Sequence, residues 1–200
     1  GRCAPFREAS DSRDPSPGRL REGRLGSRPP KAEDTDQYVY NPRETADFAR
    51  LNAMGASYTA SGAAFLKGPK LIYHSQPVKE SFELSGQMRL DAWIELNVPG
   101  TDIAAWVYEI RPTGRTIYLG KTKLRARHRN GVDKSDPVEP GTVERYRFDR
   151  FYWTSRQVRK GSRIRLVTAP LNDPAYQKNY NAAKPVMQQS VDDARTATVK

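Results

Sequence analysis

The chain has 200 residues, enough for one β domain with a real core plus a tail. Hydrophobic residues make up only 36%, so part of the chain is not core, and a net charge of +11 permits an acidic partner without identifying one. The single cysteine, Cys3, excludes an intrachain disulfide framework and a Cys-rich zinc site.

From Gly1 to about Lys31 the chain is rich in Arg, Gly, Pro and Ser. Asp14-Pro15-Ser16-Pro17-Gly18 and Arg28-Pro29-Pro30 break any periodicity, so residues 1–35 read as an extension, either a flexible linker or an extended strap lying on something else. Arg19, Arg21, Arg24 and Arg28 raise the idea of a nucleic-acid-binding arm. Interspersed acidic residues and the lack of an aromatic platform argue for the linker instead. Residues 36–200 read as one domain. Tyr38-Val39-Tyr40 is a short β-prone run ended by Asn41-Pro42. Thr45 is a candidate N-cap for a helical segment within Arg43 to Met54. Lys70 to His74 and Ser81 to Leu84 read as strands separated by Gln76-Pro77.

The strongest periodicity begins at Met88. Met88, Leu90, Ala92, Ile94, Leu96 and Val98 are all apolar. Of the intervening residues Arg89, Asp91, Trp93, Glu95 and Asn97, four are polar and one is tryptophan. A period of two buries one face and wets the other. Pro99-Gly100-Thr101-Asp102 then turns into Asp102 to Ile110, apolar on both faces, as a central strand would be. A long alternating strand, a tight turn and a more buried strand read as the seed of an antiparallel β sheet. Arg111-Pro112-Thr113-Gly114-Arg115 supplies the next turn.

Arg115 to Leu119 opens another strand. Beyond it Lys121, Lys123, Arg125, Arg127 and Arg129 alternate with Thr122, Leu124, Ala126 and His128. In a strand this projects five cations from one face, either a solvated surface or a docking face for an acidic partner. Asp91, Glu95 and Glu144 are candidate counter-charges. Asn130 to Gly141 is loop, and Thr142 to Asp149 alternates again. Phe151-Tyr152-Trp153 reads as an aromatic loop across one end of the sandwich. Lys160-Gly161-Ser162 is a turn, and Arg163 to Thr168 is a strand with Ile164 and Leu166 inward. Ala169 to Asn181 is a long aperiodic loop of the kind that carries function. Gln188 to Asp193 reads as a short helical turn and Thr196 to Lys200 as the start of a strand. About eight strands with little helix predict an all-β protein: an antiparallel β-sandwich, with jelly-roll topology, and an irregular N-terminal extension.

No catalytic constellation emerges. There is no Gly-x-Ser-x-Gly elbow, and Cys3 sits in the tail, far from any rigid base. His74 and His128 fall within strands and lack metal-ligand spacing, so both read as structural. Asp133, Asp136, Asp192 and Asp193 are loop carboxylates without a twelve-residue calcium loop, and nucleotide-binding fingerprints are missing. No catalytic residue, metal or cofactor is expected. No apolar run reaches the roughly 20 residues of a membrane span, so no membrane partner is expected. Because the chain begins with Gly1 rather than Met, missing targeting signals say little about a parent protein, and the compartment stays unread.

Several segments carry a resemblance. Asp36-Gln37-Tyr38-Val39-Tyr40-Asn41-Pro42 resembles the start of the C-terminal domain of the X-Pro dipeptidyl-peptidase family, the cocaine-esterase-like (CocE/NonD) serine hydrolases. That family commonly has Asp where Asn41 stands. Leu71 to Val78 resembles its first core strand, and Leu84-Ser85-Gly86 with Pro99-Gly100-Thr101-Asp102 its central hairpin. Arg111 to Arg115, Leu124 to Arg129, Val158 to Leu166 and Asn179-Tyr180-Asn181 are similarly placed, with Ser162 where His is usual. The similarity runs from about Asp36 to Lys200.

The resemblance implies a parent with an α/β-hydrolase domain, a helical cap and this galactose-binding-like jelly roll. Its Ser-His-Asp triad would lie upstream of Gly1, so no catalytic residue is carried over. The partner implied is the hydrolase domain of the same chain, with a homo-oligomer left open and no nucleic acid expected. The parent's reaction would be acyl transfer to water from an ester or an X-Pro amide. Phe151, Tyr152, Trp153, Tyr176, Asn179, Tyr180 and Asn181 are then candidates for the interdomain or cleft-facing surface. A sugar-binding module using Tyr152, Trp153, Tyr176 and Asn179 is the alternative.

Overall fold

The computed structural model describes residues 6–8, 22–26, 35–44, 68–173 and 176–200. The strands are β1 Phe6–Glu8, β2 Glu22–Gly26, β3 Tyr38–Tyr40, β4 Leu71–Ser75, β5 Phe82–Gln87 and β6 Leu90–Glu95. They continue as β7 Asp102–Ile110, β8 Thr116–Arg125, β9 Val143–Phe148, β10 Trp153–Val158, β11 Arg163–Pro170 and β12 Ala197–Val199. Among the described residues the only helical pieces are 3-10 turns at Ala126–His128, Val186–Gln188 and Val191–Asp193. The expected helix between Arg43 and Met54 falls mostly outside the described residues.

One layer is a six-stranded sheet in the order β1-β2-β4-β11-β7-β8. The position of β7 follows from its sequence. Ile103, Ala105 and Val107 enter the main core, while Trp106, Tyr108 and Ile110 join a smaller apolar cluster with Ile72 and Val167. A strand apolar on both sides is stable only between neighbours, here β11 and β8. The β7–β8 connection closes with Gly114 N–H donating to the Arg111 carbonyl at 2.8 Å, and Gly114 adopts φ +80°, which a side chain would resist.

The opposite layer is built from three antiparallel ladders, β5–β10, β6–β9 and β3–β12. A Leu96–Val199 bridge and reciprocal 3.1 Å backbone bonds between Glu95 and Lys200 join β12 to the end of β6. The β5–β10 and β6–β9 ladders form one bent ribbon. Gln87 pairs with Trp153 and Leu90 with Phe148, so two residues on one side oppose four on the other. Leu90, Ala92, Ile94, Tyr146 and Phe148 point inward and meet Ile103, Ala105, Val107 and Leu119 of the six-stranded sheet. The protein is thus an antiparallel β-sandwich in its main body, as its alternating segments predicted.

Two expectations are corrected and one, the second below, is narrowed. First, β6 and β7 are not a hairpin: β6 pairs with β9, and β7 with β11 and β8. The segment between them crosses from one layer to the other. Its backbone is satisfied by the loops beyond, through Ala126 N–H to Thr101, Val138 N–H to Pro99 and Gly141 N–H to Leu96. Second, of the linker and strap readings of the N-terminal segment, its described residues fit the strap. β2 runs parallel to β4, antiparallel to β1, and buries Leu25. Third, β10 had no strand signal. Its inward positions are Thr154, Arg156 and Val158, and only the last is apolar, so alternation was hidden.

Candidate functional site

The aromatic triplet is split by the bend in the ribbon. Phe151 turns inward and is 2% exposed, while its carbonyl accepts a 2.7 Å bond from Gln87 Nε2. It packs beside Gly120, where β8 carries one extra residue opposite Val107 and Tyr108. Thr154 Oγ1 donates to the Leu119 carbonyl at 2.7 Å and ties the same corner together. Tyr152 and Trp153 are left outside, 70% and 79% exposed. One ring therefore belongs to the core and two to the surface.

The loop residues proposed to join them have other partners. Tyr176 lies under Lys123, whose Nζ is 3.2 Å from the ring centroid, with Lys121 at 5.9 Å. A hydrogen bond from Lys123 and the two ammonium charges lower the Tyr176 hydroxyl pKa. Asn179 is buried and donates from Nδ2 to Asp102 Oδ1 at 2.8 Å. Asn181 is fully buried with φ +64°, and its Nδ2 donates to the Arg195 carbonyl at 2.7 Å. Tyr180 is half-buried, and its N–H donates to Gln189 Oε1 at 2.7 Å. Asn179 and Asn181 are thus loop-holding residues.

The basic row is not one strand face. β8 stops at Arg125, because Ala126 packs into the core and starts a 3-10 turn. Arg125 makes a two-pronged contact with buried Asp102, Nε to Oδ1 at 3.0 Å and Nη2 to Oδ2 at 2.9 Å. Arg127 is 8% exposed and donates to the Ala183 carbonyl. Arg129 pairs with Glu144 at 2.6 Å. Lys121 and Lys123 share the Tyr176 ring. The alternation was perfect in sequence, so nothing there signalled the break at Ala126. Glu144 does supply counter-charge, as expected, but Glu95 pairs with Lys200.

Two polar constellations escaped the sequence reading. Glu109 is 0% exposed inside the sandwich. Its Oε1 accepts from Arg159 N–H at 3.1 Å and Ser162 Oγ at 2.8 Å, with Arg156 and Arg111 at 3.7 and 3.8 Å from Oε2. Burial opposes its charge, but these donors and cations hold the carboxyl below the usual glutamate range. The second is Asp91, which gathers Arg89, Arg145 and Arg147 on the outer face of the ribbon. Both depend on strand partners that sequence spacing does not reveal. The histidines are in hydrogen bonds: Arg165 Nε donates to His74 Nε2 at 2.6 Å, and His128 Nδ1 bonds the Lys134 carbonyl. Among the described residues no cluster of three or more His, Cys, Asp or Glu could hold a metal, and no helix is long and apolar enough to cross a membrane.

Comparison with known proteins gives a consistent set of likenesses. The sequence model of the X-Pro dipeptidyl-peptidase C-terminal non-catalytic domain matches residues 13–198. The cocaine esterase of Rhodococcus sp. (strain MB1 Bresler) is 24% identical over 127 residues, covering 64% of this chain and 22% of that protein. An aminopeptidase from the marine sediment archaeon Thaumarchaeota archaeon superposes with a TM-score of 0.76 at 20% identity, over 88% of this chain and 32% of its own. An α-amino acid ester hydrolase gives the same TM-score and coverages at 17% identity. A CocE/NonD family hydrolase from Staphylococcus aureus gives 0.55 at 10% identity, over 98% of this chain and 33% of its own. At these identities the structural likenesses show the fold. The chain spans less than a quarter of the curated relative and about a third of the solved chains.

Proposed function

The chain belongs to the X-Pro dipeptidyl-peptidase C-terminal non-catalytic domain family, and from that membership we propose that it serves as the accessory β-sandwich of a CocE/NonD-type α/β serine hydrolase. In this reading it packs on the hydrolase portion of a longer parent, stiffens it and helps wall the substrate cleft. The parent would hydrolyse an ester or an amide, including X-Pro dipeptides. The observation that carries the reading is the family match across residues 13–198. Proteins named as hydrolases share the fold over about a third of their length, which supports a larger parent.

The surface chemistry supports the same view. Tyr152 and Trp153 stand out from the sandwich at the bend of the ribbon, where a covalently attached neighbour would cover them. The sugar-binding alternative needs Tyr152, Trp153, Tyr176 and Asn179 to act together. Asn179 is instead buried against Asp102, and Tyr176 is held by Lys123. The basic row, dispersed into pairs with Asp102 and Glu144, gives little support to a nucleic-acid reading.

The test is the parent enzyme truncated just before this chain. Its esterase or X-Pro peptidase activity and thermal midpoint should both fall. A truncated enzyme as active and as heat-stable as the full chain would refute the proposal.

A further inference from the structure

Among the described residues, the outer face of the β6–β9 ladder takes no part in the hydrophobic core. Its outward residues are Asp91, Trp93 and Glu95 on β6 and Val143, Arg145 and Arg147 on β9. Trp93 is 67% exposed, and Val143, across from Glu95, is exposed as well. Arg145 sits across the ladder from Trp93, with its guanidinium carbon 5.8 Å from the ring centroid. Asp91 Oδ1 receives Arg145 Nη2 at 2.9 Å and Arg147 Nε at 3.1 Å, while Oδ2 receives Arg89 Nε at 3.1 Å. Three guanidinium groups thus converge on one carboxylate. Glu95 does not redress the balance, because Lys200 takes it at 2.8 Å.

A surplus of two positive charges surrounds an exposed tryptophan. Arginine and tryptophan are the residue types that most often dominate contact energy between proteins. Apart from its cross-strand contact with Arg145, the indole is left to solvent. The shared carboxylate also pins three long side chains that would otherwise lose rotamer freedom on binding. All three side chains stay about half exposed, at 59%, 48% and 46% for Arg89, Arg145 and Arg147. The arrangement is a pre-organised cationic patch with an exposed indole at its side.

We infer that this face docks an acidic patch with an apolar centre on the hydrolase portion of the same parent chain. The inference rests on the accessory-domain reading above. Charge complementarity selects the partner: a second copy of this face would bring the same surplus against itself, whereas a carboxylate-bearing patch would neutralise it. The chain itself carries +11, so a parent containing it has reason to place opposing charge where the two portions meet. Relatives of the kind matched here hold most of their length outside this segment. Covalent attachment raises the effective concentration into about the millimolar range, so a modest surface contact is enough.

Hydroxyl-radical footprinting of the full parent chain tests this, with oxidation of Trp93 as the readout. Three samples are compared: the parent at low salt, the same chain at high salt, and the parent carrying Arg145→Glu and Arg147→Glu. A truncation lacking this chain is assayed alongside for activity and heat stability. Trp93 should be oxidised several-fold faster at high salt and in the double variant than in the parent at low salt. Trp93 is already 67% exposed in the domain, so losing Arg145 from its ring can raise labelling at most about 1.5-fold. A larger rise requires that a covering partner has left. The salt arm needs no substitution and keeps the test sound if the double variant misfolds. Labelling that stays within that 1.5-fold limit in all samples overturns the inference. If the truncation is also impaired, the accessory-domain reading survives its failure; if the truncation is unaffected, both fall.

Discussion

Replacing Glu109 by alanine strips the sandwich of its one fully buried carboxylate among the described residues. The Arg159 N–H and the buried Ser162 hydroxyl lose their acceptor, and Arg111 and Arg156 lose a counter-charge within 4 Å. Breaking one side of a buried charged network costs about 3–5 kcal/mol. Arg156 is partly solvated, which places the expectation toward the lower end of that range. Glu109→Gln keeps an oxygen at Oε1 for both hydrogen bonds, loses the charge and sets an amide N–H2 where Oε2 faced Arg156 and Arg111. Its cost should be about 1–2 kcal/mol. For a chain of this size 1 kcal/mol moves the thermal midpoint by about 2–4 °C. Urea unfolding at neutral pH should therefore order the proteins wild type, Glu109→Gln, Glu109→Ala. The carboxyl is held below its usual range in the folded state, so its stabilising contribution is complete above the unfolded glutamate pKa of about 4.3 and fades as pH falls below it. The wild type should lose its advantage over Glu109→Gln across that acid interval. Equal costs for the two substitutions, or an advantage that grows with acid, would refute the reasoning.

Other substitutions separate scaffold from surface. Phe151→Ala should cost about 3–5 kcal/mol in chemical denaturation, since the ring is buried at the bend of the ribbon. Trp153→Ala should change the domain's own stability by less than about 0.5 kcal/mol, and equal effects for the two would show that the triplet is not split. Asn181→Ala loses the bond to the Arg195 carbonyl and leaves a strained φ of +64°, for about 1–3 kcal/mol in urea unfolding. Asn181→Gly should be milder, because glycine accepts that backbone conformation. Arg125→Met leaves the Asp102 carboxylate without its guanidinium and should cost about 3–5 kcal/mol by the same assay.

How far the sequence led depended on whether a strand advertised its burial. β6 was legible because Leu90, Ala92 and Ile94 alternate cleanly, and β7 because both its faces are apolar. β10 was hidden because Thr154 and Arg156 fill inward positions where apolar residues were sought. The layer crossing after β6 had the same punctuation as a hairpin: Pro99-Gly100 turns the chain in either case, and only the partners of β6 and β7 tell them apart. The candidate surface was half legible. Consecutive aromatics pointed to Phe151, Tyr152 and Trp153, yet alternation about the bend, which sends one ring inward, is a tertiary fact. Trp93 stood out as the one apolar residue on a polar phase. Its meaning needed β9 alongside, which sets Arg145 opposite Trp93 and Arg147 opposite Asp91.

The central claim is that bond cleavage happens outside these 200 residues. Labelling the active parent enzyme with a phosphonate that traps activated serines, then mapping the adduct by mass spectrometry, tests it most directly. The account predicts a single modified serine upstream of Gly1, with loss of activity proportional to labelling. An adduct on any serine between Ser10 and Ser190, formed in step with inactivation, would contradict it.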